Sequence, residues 1–142
     1  MNIQKKETSM KNNTDILLPL GRAALGVLFF VSGLLKIGGF AGVAGYMASQ
    51  GLPLANILLV GVIALEVGGG LLLITGWQAR WAALALALFL IPTTLIFHAF
   101  WSADAAHFQD QLTNFLKNLS IFGGMLLLVE RGFGKASRLA KA

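Results

Sequence analysis

The sequence predicts an all-α integral membrane protein, a bundle of four transmembrane helices with both termini in the cytoplasm. Three observations lead to this prediction: the composition, four long apolar segments and the position of the basic residues. Of the 142 residues, 56% are hydrophobic and only 12% are charged, whereas soluble domains carry about 25% charged residues. The mean hydropathy of +0.75 agrees. A chain of this composition is expected to have the lipid bilayer as its main partner.

The four apolar segments follow a polar N-terminal stretch and cover residues 16–37, 52–75, 79–101 and 112–129. A helix rises about 1.5 Å per residue, so about 20 residues cross the hydrocarbon core of a bilayer. Each segment is close to that length. The first is too long for the core of a cleaved signal peptide, and Arg22 interrupts it. Residues 38–51 are either a short helix at the membrane interface or a glycine-rich loop.

The basic residues predict the orientation. An even number of spans places both termini on one side of the membrane, and both ends of the chain are basic: Lys5, Lys6 and Lys11, then Arg131, Lys135, Arg138 and Lys141. Cytoplasmic segments carry the excess of lysine and arginine. The sequence therefore predicts a polar N-terminal tail (1–15), a four-helix transmembrane domain (16–130) and a basic C-terminal tail (131–142). Because the net charge of +5 lies mostly in these tails, no nucleic-acid partner is predicted.

Six glycines are predicted to pack helices against one another. In lipid, helices associate where small residues let two backbones approach closely. The glycines lie in the first, second and fourth segments: Gly33, Gly68, Gly69, Gly70, Gly123 and Gly124. They favour a compact bundle and indicate nothing about function.

Polar residues within the spans are the candidate functional set, because such residues usually face the interior of a bundle and pair with one another. They are Glu66, Lys117, Asn118, His98, Arg22 and Lys36. Counted from the cytoplasmic ends of the segments, Arg22 lies roughly 9 Å deep, Glu66 about 13 Å and Lys117 about 19 Å, while His98 and Lys36 lie near the outer surface. Glu66 is therefore expected to pair with Arg22 or Lys117, or to be protonated. The set is predicted to line one outward-opening cavity that relays protons.

A purely structural role is the alternative for this set. Arg22 and Lys36 lie near the ends of their segments, where long basic side chains reach the interface, and a buried pair can simply hold helices together. No metal site is predicted, since His98 and Glu66 differ by about 15 Å in estimated depth. The chain has no cysteine, which excludes disulfides and thiolate ligands within it. No cofactor is evident from the residues.

The chain resembles the DoxX family of small bacterial membrane proteins over residues 16–130. The similarity is carried by GRAALGVLFFVSGLLKIGGFAG, YMASQGLP, ALEVGGGLLLITGWQAR, His98 and NFLKNLSIFGGMLLL, in that order. The resemblance implies a four-helix protein of the bacterial inner membrane. Some members of the family are subunits of quinone-linked oxidoreductases or of membrane complexes tied to oxidative stress, so the resemblance also implies such a role here.

Three functions follow as hypotheses. The first is a membrane subunit that binds a quinone and depends on a redox partner subunit for any oxidoreductase activity. The second is a non-catalytic assembly or scaffold protein. The third is a small proton-coupled or anion transporter, for which a chain this short would have to form a homo-oligomer. The sequence does not decide whether the protein is an enzyme, and it names no substrate.

Overall fold

This computed structural model describes the backbone of residues 3–139 and the side chains of residues 16–132. Within that backbone the chain is helical, without strands: α1 (Ile3–Gly38), α2 (Phe40–Ser49), α3 (Ala55–Thr75), α4 (Ala79–Phe97) and α5 (Phe108–Leu139), with a 3₁₀ turn at Phe100–Ser102. Four stretches are long and apolar enough to cross a membrane: Ile16–Gly38, Ala55–Thr75, Ala79–Ser102 and Phe108–Gly132. The predicted all-helical architecture with four spans is confirmed.

The first and last helices are longer than the hydropathy predicts. α1 begins at Ile3 and α5 ends at Leu139, so the described parts of the two polar tails continue the helices. Hydropathy marks only the part of a helix that is apolar, whereas backbone hydrogen bonding continues for as long as no residue interrupts it. Residues 1–2 and 140–142 of the predicted tails lie outside the described backbone. The side chains of the tail lysines lie outside the described side chains.

The segment after α1 is a helix rather than a loop. α2 buries Ala44 and Met47 against Leu59 of α3, with Phe97 of α4 at the edge of the cluster. Gly51 follows with φ of 82°, a left-handed conformation that glycine adopts without steric cost. α2 therefore packs back onto the bundle beside the end of α1.

The closest helix pair is α1 and α3, which run antiparallel with their backbones in contact. A Cβ on Gly70 would lie 2.6 Å from the Phe30 nitrogen and 2.7 Å from the Gly26 oxygen. One on Gly33 would lie 2.7 Å from Val67, and one on Gly76 would lie 2.6 Å from the Arg22 guanidinium. These contacts fix the register of the two helices. They also define two ends of the bundle, the Arg22 end and the Lys36 end.

The core lies between all four spanning helices. Its buried side chains come from α1, α3, α4 and α5: Phe29, Leu73, Ala82, Ala83, Leu86, Ala87, Leu90 and Met125. Gly69 faces Leu86, and Gly124 faces Leu25 of α1. Gly68 and Gly123 have no neighbour within 4 Å. The expectation that all six glycines pack helices is therefore wrong for these two, because consecutive helical residues point in different directions and only some face a partner.

Candidate functional site

The main polar feature inside the bundle is an ion pair between Lys36 of α1 and Glu66 of α3. The Lys36 Nζ lies 2.8 Å from the Glu66 Oε2 and donates a hydrogen bond to Oε1 at 3.1 Å. It also donates to the Ser32 hydroxyl at 2.6 Å, which in turn donates to Glu66 Oε1 at 3.4 Å. Glu66 is only 4% exposed. The pair joins the two helices that approach each other most closely.

One oxygen of this carboxylate keeps hydrogen-bonding capacity. The Lys36 Nζ lies 2.8 Å from the Glu66 Oε2, and apart from this ion-pair contact the buried oxygen has no hydrogen-bond partner within the described chain. This short contact is an ion-pair contact, and it leaves a second lone pair on Oε2. Oε2 remains able to accept a hydrogen bond from a donor that enters the site.

The predicted partners of Glu66, Arg22 and Lys117, are wrong, and the register of α1 and α3 explains why. Arg22 lies level with Gly76, at the end of α3, so residues 16–21 extend beyond α3. The depth count placed both segments at a common starting level and so moved Lys36 too far outward. In the observed register Lys36 lies about one turn from the level of Glu66. Because helical side chains lean towards their own N-terminus, those of two antiparallel helices lean towards each other across that turn.

The ion pair lies at one side of a cavity of about 210 Å³, which we term the acid–base pocket. Three further side chains in its lining carry polar groups: Tyr46, Thr93 and His98. The remaining lining is apolar: Val43, Met47, Leu59, Val62, Phe89 and Phe97. Three of the predicted site residues, Lys36, Glu66 and His98, therefore meet in one cavity.

His98 is the C-cap residue that follows α4, and both its backbone and its side chain are hydrogen-bonded. Its backbone N–H donates to the Thr94 carbonyl, and its Nδ1 lies 3.2 Å from the Gln111 Oε1. An amide oxygen only accepts hydrogen bonds, so this contact is a hydrogen bond in the tautomer that has its proton on Nδ1. The Nε2 of the neutral ring is then an acceptor, and it becomes a donor when the ring is protonated.

A second cavity of about 250 Å³ lies beside the first and contains polar groups of the loop after α4, among them Asp104 and His107. Tyr46 and Phe97 line both cavities, and their ring centroids are 5.5 Å apart. In the loop, His107 lies 2.7 Å from Asp104. The side-chain hydrogen bond from His107 lowers the pKa of Asp104 below its usual value of 3.8.

The other three candidates lie elsewhere. Lys117 is exposed on α5. Asn118 lines a separate cavity of about 170 Å³ between α4 and α5, with Thr94 and Phe115. Arg22 lies at the opposite end of the bundle, against Gly76. The prediction that all six residues line a single cavity is therefore wrong: Lys117 and Asn118 of α5 do not line the pocket that contains the Lys36–Glu66 pair.

Four residues of the site were not predicted: Ser32, Tyr46, Thr93 and Gln111. Ser32 precedes Lys36 by four residues, a spacing that places two side chains on one helix face, so the sequence contained a signal for it. Tyr46, Thr93 and Gln111 join the site through tertiary packing. Among the described residues there is no group of three or more histidine, aspartate or glutamate side chains that could hold a metal ion.

Comparison with known proteins identifies relatives over nearly the whole chain. The sequence profile of the DoxX family matches residues 17–99. The inner membrane protein YqjF of Escherichia coli K12 is 37% identical over 128 residues, which cover 90% of this chain and 93% of that protein. The inner membrane protein YphA of the same organism is 32% identical over 122 residues, which cover 86% of this chain and 87% of that protein. No solved structure gives a significant match.

Proposed function

This chain belongs to the DoxX family of membrane proteins, and we propose that it is a membrane subunit that binds the head group of a quinone in the acid–base pocket. The observation that supports this most is the buried Lys36–Glu66 pair at the side of a mainly apolar cavity. Ligand sites of this kind combine an apolar lining with a few converging polar groups.

The pocket has the groups that a quinone head requires. The ring is flat and apolar and suits Phe89, Phe97 and Leu59, which line the pocket. Its two carbonyl oxygens need hydrogen-bond donors. The Lys36 ammonium is one donor, and the Tyr46 hydroxyl or a protonated His98 is the other. In the quinol form the hydroxyl donates, and the Glu66 Oε2 that lacks a donor is available to accept.

The same side chains are suited to moving protons. Reduction of a quinone to a quinol takes up two electrons and two protons. In this proposal a redox protein bound to the chain supplies the electrons. His98 and the Lys36–Glu66 pair supply the protons, because both are at the pocket and both change charge by exchanging one proton. The chain would thus act as the quinone-binding part of an oxidoreductase complex.

The size of the cavity sets what part of the ligand it holds. At about 210 Å³ it is smaller than the sites of roughly 300–1,000 Å³ that take drug-sized ligands. A single ring is therefore the expected occupant, with any isoprenoid tail extending from the pocket into the lipid.

Titration of the purified protein in detergent micelles with a short-tailed quinone analogue tests the proposal. We expect saturable quenching of tryptophan fluorescence, and binding at least about tenfold weaker in Lys36→Met, since a hydrogen bond to a charged group contributes about 1.5–3 kcal/mol. His98→Gln keeps the ion pair and should also weaken binding. Lys117→Met is the control, because it removes an exposed ammonium outside the pocket. Binding that does not saturate, or that is equal in all variants, would exclude the proposal.

A second candidate function is a non-catalytic assembly protein, in which the pair only holds the bundle together. Its support is that Lys36 and Glu66 join α1 and α3 beside the contact of Gly33 with Val67. The double change Lys36→Met with Glu66→Leu separates the two functions. The assembly function is favoured if the double variant folds and assembles as the unmodified protein does, and if the unmodified protein binds no quinone analogue.

The relatives are inner membrane proteins, and we propose that this chain has both termini in the cytoplasm. Arg22, Arg80 and Arg131 lie together at one end of the bundle, whereas the loop at the other end contains Asp104. Because the chain has no cysteine, single cysteines report on orientation directly. In intact spheroplasts an impermeant thiol reagent should label Ala105→Cys and leave Trp77→Cys unmodified, and the reverse pattern would invert the proposed orientation.

A further inference from the structure

Three arginines surround one cavity at the Arg22 end, far from the acid–base pocket. This cavity of about 370 Å³, the arginine pocket, is formed by α1, the turn between α3 and α4, the start of α4 and the last part of the α5 span. Arg22, Arg80 and Arg131 all line it. Two glycines make room for the side chains, since a Cβ on Gly76 would meet the Arg22 guanidinium at 2.6 Å and one on Gly132 would meet the Arg80 stem at 2.6 Å.

The charged side chains in the described lining of the cavity are all basic. None of the described residues that line it is acidic; the others are Leu18, Gly76, Gln78, Ala79, Leu128 and Gly132. The Arg22 Nε is buried and has no hydrogen-bond partner within the described chain. A buried donor without an acceptor is unfavourable. An anion in the cavity would supply that acceptor.

The start of α4 strengthens the preference for an anion. α4 begins at Ala79, which lines the cavity, and no side chain caps this end. The first N–H groups of a helix lack intrahelical acceptors, and the helix dipole is positive at this end. Arginine forks match the oxygen geometry of phosphate.

The position of the pocket along the membrane normal points to the source of such a group. Trp77 and Trp81, in and after the same turn, are 71% and 51% exposed. Exposed tryptophans of membrane proteins lie at the level of the lipid head groups. Leu18 and Leu128 give the pocket an apolar side. We propose that the arginine pocket binds a phosphoryl group at the membrane interface, supplied by an anionic phospholipid.

Thermal unfolding of the full chain in zwitterionic micelles tests this proposal, with phosphatidylglycerol and inorganic phosphate as separate probes. A ligand that binds only the folded state raises Tm, and the stabilisation grows with the logarithm of the ligand concentration divided by its Kd. We expect phosphatidylglycerol to raise Tm, and its apparent affinity to fall at least about fivefold in Arg131→Gln, since a basic side chain near anionic lipid contributes about 1 kcal/mol. Arg131 is exposed, so its replacement should leave the fold intact. Arg22→Lys, which keeps the charge but loses the fork, should also weaken binding.

Lys117→Gln is the matched control, because it removes one exposed positive charge from the same helix outside the pocket. It should leave the phosphatidylglycerol response unchanged. If inorganic phosphate reproduces the response at equal phosphate concentration, the pocket is a phosphoryl site for a soluble ligand rather than a lipid. The proposal is overturned if neither probe stabilises the protein, or if Arg131→Gln and Lys117→Gln respond alike.

Discussion

Removing the ammonium of Lys36 should destabilise the bundle more than removing any other lysine of the spans, because it leaves the Glu66 carboxylate buried without a cation. The two charges are 2.8 Å apart, which corresponds to an attraction of about 6 kcal/mol at an effective dielectric constant of about 20. Desolvation of both groups offsets part of that attraction, and the Lys36 side chain is 25% exposed. Breaking one partner of a buried pair costs about 3–5 kcal/mol. We therefore expect Lys36→Met to lower the free energy of unfolding by about 3 kcal/mol.

Removing the carboxylate of the pair instead of the ammonium should cost less stability. Glu66→Leu leaves an ammonium that still donates to Ser32 and that is partly exposed, so we expect a loss of about 1.5 kcal/mol. The double variant has no charge to bury and should lie within about 1 kcal/mol of the unmodified protein. The two positions are then coupled by at least about 3.5 kcal/mol, well above the mean of about 0.6 kcal/mol for side-chain hydrogen bonds in a membrane protein.

Reversible unfolding in mixed detergent micelles, followed by tryptophan fluorescence, measures all four corners of this cycle. Lys117→Met is the control, because Lys117 lies outside the acid–base pocket and is not the partner of Glu66. Removing its charge from the lipid-facing side of a span should not lower the free energy of unfolding. Additive effects of Lys36→Met and Glu66→Leu would refute the reasoning. So would a Lys117→Met variant as unstable as Lys36→Met, which would show that Glu66 has a different partner.

Three other predictions concern packing and the loop after α4. Gly70→Ala should destabilise the protein by about 1–3 kcal/mol, because its Cβ would lie 2.6 Å from a backbone nitrogen of α1. Gly68→Ala is the control and should be neutral, because its Cβ would meet nothing within 4 Å. Equal effects of the two changes on unfolding in micelles would contradict the α1–α3 register. Leu59→Ala should cost about 2–5 kcal/mol, since this side chain is fully buried beneath α2, and unchanged stability would mean that α2 does not dock there. His107→Ala should raise the pKa of Asp104 towards 3.8, measured by NMR titration of the carboxyl carbon. Because the folded pKa of Asp104 is lowered, its contact with His107 is present above that pKa and lost as the pH falls through it, and a pKa that does not move in the variant would refute the assignment.

The spans of the bundle could be predicted because they depend on local properties of the chain. Hydrocarbon thickness requires about 20 apolar residues whatever the neighbours are, and the four segments meet that condition individually. The helix α2 was one of two alternatives, because ten residues with several glycines satisfy the pattern of an interfacial helix and of a loop equally well. Burial of Met47 against Leu59 decides between them, and that contact is not local.

The members of the candidate site could be selected from the sequence, but their partners could not. Glu66, Lys36 and His98 were identified because ionisable residues are rare in lipid. Which of the cations meets Glu66 depends on how far α1 slides along α3, and hydropathy is insensitive to a shift of one or two turns. The contacts of Gly26 and Gly33 with α3 remove that freedom.

By itself, then, the sequence determined that this protein is a four-helix membrane protein and that its spans contain an acid, several cations and a histidine. Only the tertiary structure decided that Lys36 neutralises Glu66, that Lys117 is exposed, and that Arg22 joins Arg80 and Arg131 in a separate pocket. The physical reason is that insertion into lipid is a property of each segment alone, whereas charge pairing acts over a few ångströms. Pairing therefore follows the packing register of whole helices, which is set by the glycine contacts between them.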